Sequence, residues 1–198
     1  MSAPGYDVLV LGGGTAGCVL AGRLSEDPGR RVCLVEAGPD YGSFRGGGWP
    51  EEIVDARWRP FTHAWSTDRE DRSQWRARIL GGCSTQYGCV LFEGAPEDYD
   101  EWGPGWTYAE LAPFLARARD ALRARTPEPD QLSPWHRAFL DAGGNDAVLL
   151  EVNALGRVRW NAAFAYVDPA RDRPNLTILS DTLVDRVVVE RGRARGAL

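Results

Sequence analysis

The chain has 198 residues, of which 43% are hydrophobic and 26% charged. That is enough apolar material for a buried core, and it sets the chain apart from disordered sequences. The net charge of -5 argues against a nucleic-acid binder, which would show a basic face. All 23 basic residues are arginine, read as the bias of a GC-rich, bacterial genome.

Residues 7–11, Asp-Val-Leu-Val-Leu, form a β-rich apolar run of the kind found in a parallel strand buried on both faces. Glycines follow, and 16–25 reads as a helix with Val19, Leu20 and Leu24 on one side, stopped by Asp27-Pro28-Gly29. Residues 31–36 supply a second buried strand, completing a βαβ unit. Asp7 precedes the apolar run 8–24 and four glycines interrupt it, so it reads neither as a signal h-region nor as a membrane span.

From 38 to 73 the chain is irregular, rich in Gly, Pro and Trp, and a second glycine pair follows at Gly81-Gly82. Thr107-x-x-Glu110 is a capping-box pattern opening a helix. Its stripe is Leu111, Phe114, Leu115, Ala118 and Leu122, with Pro113 expected to kink it or delay its start. Residues 126–134 read as a polar, Pro-rich loop. Strands are expected at 176–179 and 183–190, then a turn at 191–193 and a returning strand from Ala194. Cys18, Cys33, Cys83 and Cys89 form no C-x-x-C pair and are read as small buried hydrophobes with reduced thiols, in a cytoplasmic protein with no metal site.

Gly12-x-Gly14-x-x-Gly17 stands between the first strand and the first helix, where a dinucleotide fingerprint belongs. Gly12 allows the tight turn, Gly14 lets backbone approach a pyrophosphate, and Gly17 lets helix and strand pack closely. The pyrophosphate would sit over the helix N-terminus. Glu36, at the end of the second strand, is placed to accept from a ribose 2′-OH. An acid there disfavours NADP but leaves NAD and FAD open.

Several stretches, taken in order, resemble the glucose-methanol-choline (GMC) oxidoreductases. They are Gly12-Gly13-Gly14-Thr15-Ala16-Gly17-Cys18, Leu24-Ser25-Glu26 and Val35-Glu36-Ala37-Gly38. Arg78-Ile79-Leu80-Gly81-Gly82-Cys83-Ser84 resembles the family's second glycine signature, in its choline-oxidase-type form. Asp98-Tyr99-Asp100-Glu101-Trp102, Gly105-Trp106-Thr107 and Arg173-Pro174-Asn175-Leu176-Thr177 also match.

The resemblance implies an α/β fold: a Rossmann-like FAD-binding βαβ core with irregular inserted segments and a C-terminal β-hairpin, incomplete relative to the family. It treats 1–198 as one FAD-binding domain, with 41–75 and 96–165 as insertions and the C-terminal substrate domain absent. It implies FAD as cofactor and oxidation of a small alcohol by hydride transfer to the flavin. Cofactor contacts map onto Gly12, Gly14, Thr15, Ala16, Gly17, Glu36, Ala37, Gly81, Gly82, Cys83, Ser84 and Val184. Gln86 stands where some members carry a flavin-tethering histidine, so the FAD is expected to dissociate, and Tyr87 replaces the usual Asn. The region 126–152 is shorter than is usual in the family.

Neither His63 nor His136 lies in the family's catalytic histidine segment, so the chain alone is expected to oxidise no alcohol and to self-associate through an uncovered apolar face. Two alternatives stand beside this reading. One is an NAD-dependent Rossmann dehydrogenase, and the other a non-catalytic truncated product that binds FAD weakly or not at all.

Overall fold

The computed structural model describes residues 5–65, 76–144 and 147–198. They divide into two compact units, one from 1–87 with 161–198 and the other from 88–160. Of the irregular stretches expected over 38–73 and 41–75, residues 66–75 lie outside the described residues.

The first unit is built on a parallel sheet of β1 (Val8–Leu11), β2 (Val32–Val35) and β7 (Leu176–Leu179), in the order β1-β2-β7. Val8 pairs with Val32, and Val32 with Leu176. β2 is the central strand and is buried at all four positions. β1 departs from expectation: among the described residues it has one neighbour, and Leu9 and Leu11 remain 38% and 39% exposed. An apolar strand at a sheet edge keeps one row of amides and carbonyls unpaired, whatever its hydropathy.

Helix α1 (Thr15–Leu24) connects β1 to β2. Its packing face differs from the predicted one. It buries Gly17, Cys18, Ala21 and Gly22, while Leu20 is 49% exposed. The small residues permit backbone contact: a Cβ on Gly22 would lie 2.6 Å from the Tyr166 carbonyl oxygen, in a π-helical turn at Ala163–Val167. Size complementarity outranks side-chain hydrophobicity on this face.

The Arg173-Pro174-Asn175 stretch fastens the end of α1 to the start of β7. Asn175 Nδ2 donates to the carbonyls of Ser25, Asp27 and Arg30 at 3.1, 2.8 and 2.9 Å. Arg173 donates to Gly22 O at 2.6 Å and to Ser25 Oγ at 2.7 Å. The Gly22 and Ser25 carbonyls at the helix end, and those of Asp27 and Arg30 in the following loop, thereby gain donors from one amide and one guanidinium.

A second clamp holds the loop after β2. Arg171 forms a two-pronged ion pair with Asp40 at 2.6 and 2.7 Å, and a further one with Asp168 at 2.9 Å. Burial opposes the Arg171 charge, but the two carboxylates outweigh that cost and raise its pKa. Beside it, Trp49 and Phe44 pack on Phe164, and the short helix α2 (Glu51–Val54) buries Ile53.

His63 lies in the next loop, with its Nε2 2.8 Å from the Tyr41 hydroxyl and its Nδ1 2.9 Å from Thr62 Oγ1. Its carbonyl accepts from Arg78 N–H, in a bridge joining Ala64 to Ala77. Burial depresses the His63 pKa, Glu52 opposing it weakly.

The predicted strand at 183–190 is confined to β8 (Val187–Glu190), which pairs antiparallel with β9 (Arg193–Ala197) as the expected C-terminal hairpin.

In the second unit β3 (Val90–Leu91) pairs with β4 (Glu151–Val152), and β5 (Ala154–Leu155) with β6 (Val158–Arg159). Three helices accompany them: α3 (Pro96–Asp100), α4 (Tyr108–Ala121) and α5 (Pro134–Gly143). α4 starts where its capping signal placed it, with the Glu110 carboxylate accepting from the amides of Thr107 and Gly105. The Thr107 hydroxyl also donates to that carboxylate, at 2.7 Å. Pro113 is accommodated inside the helix, and Phe114, predicted on the packed stripe, is 62% exposed. Arg123 stacks 3.8 Å from the centroid of Trp160, whose indole N–H donates to Ala121 O.

Among the cysteines, Cys18, Cys33 and Cys89 are buried as expected, and Cys83 is exposed. Among the described residues no group of His, Cys, Asp or Glu could hold a metal ion, and no helix is long and apolar enough to cross a membrane.

Two outcomes test this account. Asn175→Leu leaves the Ser25 and Arg30 carbonyls without their donor, while Asp27 O keeps the Arg30 amide, and should cost about 2–3 kcal/mol in denaturant unfolding; an unchanged midpoint would show that the amide is dispensable. His63 is held neutral, so its contribution to stability is present above the ordinary histidine pKa and lost as pH falls through the depressed folded one. Stability followed from about pH 7.5 to about pH 5.5 (about one unit either side of a free histidine) should therefore fall more steeply in the wild type than in His63→Gln.

Candidate functional site

A groove of about 830 Å³ opens where β1, α1 and β2 meet the second glycine segment. Its floor is the first glycine turn. Gly12 adopts φ +97° while its N–H donates to Val35 O at 2.8 Å. A Cβ on Gly17 would lie 1.9 Å from Gly12 O, so helix and turn can meet there only through hydrogen. Gly14 is different: a Cβ there would meet nothing within 4 Å. The fold does not require glycine at that position, but a ligand lying against the backbone would.

The first intrahelical bond of α1 runs from Cys18 N–H to Gly14 O at 2.9 Å. The amides of Thr15, Ala16 and Gly17 therefore precede the helical ladder and carry the positive end of the helix dipole into the groove. No acidic side chain stands in that first turn to neutralise it.

The second glycine signature packs directly on the first. Gly81 N–H donates to Gly13 O at 2.7 Å, and a Cβ on Gly82 would lie 2.6 Å from the Gly14 Cα. Gly81 and Gly82 both take positive φ, +96° and +54°. A 3-10 turn at Gly82–Thr85 follows and leaves Cys83 exposed on the groove wall.

Glu36 lines the groove yet is 6% exposed, and its carboxylate is engaged by the protein. It accepts from Gly13 N–H at 2.7 Å and from Gly38 N–H at 2.9 Å. Thus it braces the glycine turn from beneath, with lone pairs left on each oxygen for a further donor. Thr182 N–H donates to Glu36 O and Asp181 N–H to Gly38 O, both at 2.9 Å, which carries Thr182, Leu183 and Val184 onto the rim.

Of the predicted contacts, Gly12, Gly14, Thr15, Ala16, Gly17, Glu36, Ala37, Gly82, Cys83 and Val184 line the groove. Gly81 and Ser84 do not. Ser84 is 5% exposed, donates to Gly81 O at 2.6 Å and accepts from Ala162 N–H at 3.0 Å, so it locks the turn from behind. Sequence reasoning missed Trp65, Arg76 and Ala77, which reach the groove through the bridge joining Ala64 to Ala77. Arg76 is its one basic lining residue among those described. No motif marks it, because it arrives by long-range pairing of a loop. Burial pushes the Cys18 thiol up to about 12 and its Sγ–H donates to Gly13 O, so this cysteine is inert packing beneath the turn. Neither histidine lines the groove, and His136 bonds through Nδ1 with Ser133 Oγ at 2.9 Å.

A family profile described as Lycopene cyclase protein matches residues 7–82, the segment from β1 to the second glycine pair and less than half of the chain. Curated relatives match nearly all of it. Human mitochondrial choline dehydrogenase is 36% identical over 96% of this chain and 39% of its own length. The glucose dehydrogenase [FAD, quinone] of Drosophila pseudoobscura pseudoobscura is 31% identical, with 94% of the chain and 36% of the relative covered. A GMC-type oxidoreductase of Rhodococcus erythropolis is 32% identical over 96% and 46%. The chain thus spans less than half the length of these relatives.

The human alignment runs over 235 positions, more than the 198 residues here, so that enzyme also carries residues between matched ones that this chain lacks. Among solved structures, pyridoxine 4-oxidase from Mesorbium loti superposes with a TM-score of 0.79 at 26% identity, covering 98% of this chain and 45% of that one. An FAD-dependent oxidoreductase from Chaetomium thermophilum shares the fold, with a TM-score of 0.76 at 24% identity over 98% and 41%. By sequence along nearly its whole length and by fold, the chain belongs to the glucose-methanol-choline oxidoreductase family.

Proposed function

We propose that the groove binds FAD, and that the chain is the FAD-binding portion of a flavin-dependent oxidoreductase acting on the CH–OH group of a small alcohol. The observation that carries this reading is the bare backbone of Gly14, opposite Gly82, at the mouth of a helix whose first amides are unspent. When bound, FAD supplies the redox step, accepting a hydride from the alcohol carbon. The protein binds and orients it. The amides of Thr15, Ala16 and Gly17 would face the pyrophosphate, and Arg76 would supply a countercharge that the glycine turn lacks. Glu36 would accept from a ribose hydroxyl, and Val184 would lie on the adenine side.

The family relationship and the second glycine turn stacked on the first favour FAD over NAD. Gln86 has no nucleophilic ring nitrogen, so the FAD should be released intact by acid precipitation. No imidazole lines the groove, so substrate-dependent flavin reduction by these 198 residues alone is not expected. The exposed edge of β1 should favour self-association.

The test is flavin absorbance retained after FAD addition and gel filtration. Gly14→Ala should fold with an unchanged melting transition and retain no flavin, whereas Gly17→Ala should be strongly destabilised by its contact with Gly12 O. Arg76→Gln should weaken FAD and ADP about ten-fold and leave adenosine unaffected, as loss of one phosphate charge contact predicts. A wild-type chain that stays colourless at saturating FAD would refute the reading.

A further inference from the structure

The second unit contains a cavity of its own, of about 590 Å³, that none of the relationships above accounts for. Its walls are apolar: Leu132, Phe139, Leu140, Val148 and Leu150 come from α5 and from the segments before α5 and β4. Phe139 and Val148 are 70% and 74% exposed at its mouth, so much apolar surface faces water there. The size and lining are those of a small-molecule pocket, concave and apolar with few polar groups.

The polar groups on its wall are Gln131, His136, whose Nδ1 lies 2.9 Å from Ser133 Oγ, and Arg125, the one arginine, held rigidly. Its backbone pairs with Val152 in both directions, Arg125 N–H to Val152 O at 3.0 Å and Val152 N–H to Arg125 O at 2.8 Å. Its guanidinium donates from Nε to Ala154 O at 2.8 Å, and from one terminal nitrogen to Gln131 Oε1 at 2.8 Å and Thr126 O at 3.4 Å. All three acceptors are neutral. Arg119 contrasts with it, pairing with Glu93 and Glu151. Among the described residues no carboxylate lies within 4 Å of Arg125. A half-buried cation, fixed by neutral dipoles and opening on an apolar cavity, lacks its counterion.

We infer that this cavity binds a small amphipathic monoanion, an organic carboxylate with an aliphatic or aromatic body, its charge on Arg125 and its body against Phe139, Leu140 and Val148. The anion supplies the charge partner that the described residues do not, and its body covers the apolar mouth. The site does not depend on the FAD reading.

Octanoate and n-octanol, titrated by calorimetry, are the probes. Octanoate should bind saturably at one site per chain and about ten-fold more tightly than the alcohol, the difference being the charge-assisted contact. Arg125→Gln should remove that preference. Because Arg125 also ties Ala154 to Gln131, Phe139→Asp is the second variant: the exposed mouth position tolerates it structurally, and it should repel the carboxylate while octanol binding falls less. Equal affinity for octanoate and octanol in the wild type would overturn the proposal. So would non-saturable uptake of both, which would mark the face as a generic apolar surface, or an octanoate affinity untouched by both substitutions.

Discussion

The first unit depends on one close approach, that of two glycine turns lying on each other without side chains. Gly81 N–H meets Gly13 O, Gly82 abuts Gly14, and a Cβ on Gly38 would fall 2.0 Å from Arg78 O. Backbone packed on backbone leaves no room for adjustment, so these contacts are bistable at best: made with glycine, broken by any side chain. Everything that shapes the groove follows from them. The second turn, far along the chain from β1, becomes the wall opposite α1, and the helix amides open between the two.

Glu36 shows how one residue serves fold and site together. Its carboxylate collects the amides of Gly13 and Gly38, and its carbonyl collects that of Thr182. A residue read from the sequence as a ligand contact is first of all the brace that aligns the turn a ligand would lie on. The two roles are compatible because a carboxylate has more acceptor sites than those two amides use. Asn175 and Arg171 act in the same manner further out, satisfying helix-end carbonyls and clamping the loop after β2. In this unit polar side chains fix the connections and small residues fix the distances.

Much of the architecture was legible because its signals are local. The strand, glycine turn, helix, strand and acid stand in consecutive sequence, and each glycine carries a steric reason that survives in the structure at Gly12 and Gly17. The capping residues of α4 and the C-terminal hairpin were equally local. The misreadings share a cause. Leu20 and Phe114 were assigned to packed faces by periodicity, yet α1 packs through Gly17, Ala21 and Gly22, and Phe114 stays in solvent. Periodicity reports which residues share a face, not which face finds a neighbour.

What the sequence determined was the chemistry of the turn: glycines where a Cβ would strike backbone, a bare position at Gly14 where it would strike nothing, and an acid two dozen residues later. What only the tertiary structure decided was which residues gather around it. Arg76 and Trp65 arrive through a loop bridge, and Val184 through amides bonded to Glu36 and Gly38. Ser84, though inside the signature, turns away to lock Ala162. Arg125 meets a largely apolar cavity, with no carboxylate beside it among the described residues. Steric demands on a turn act between near neighbours in sequence and are written there, whereas the company a side chain keeps is set by long-range closure.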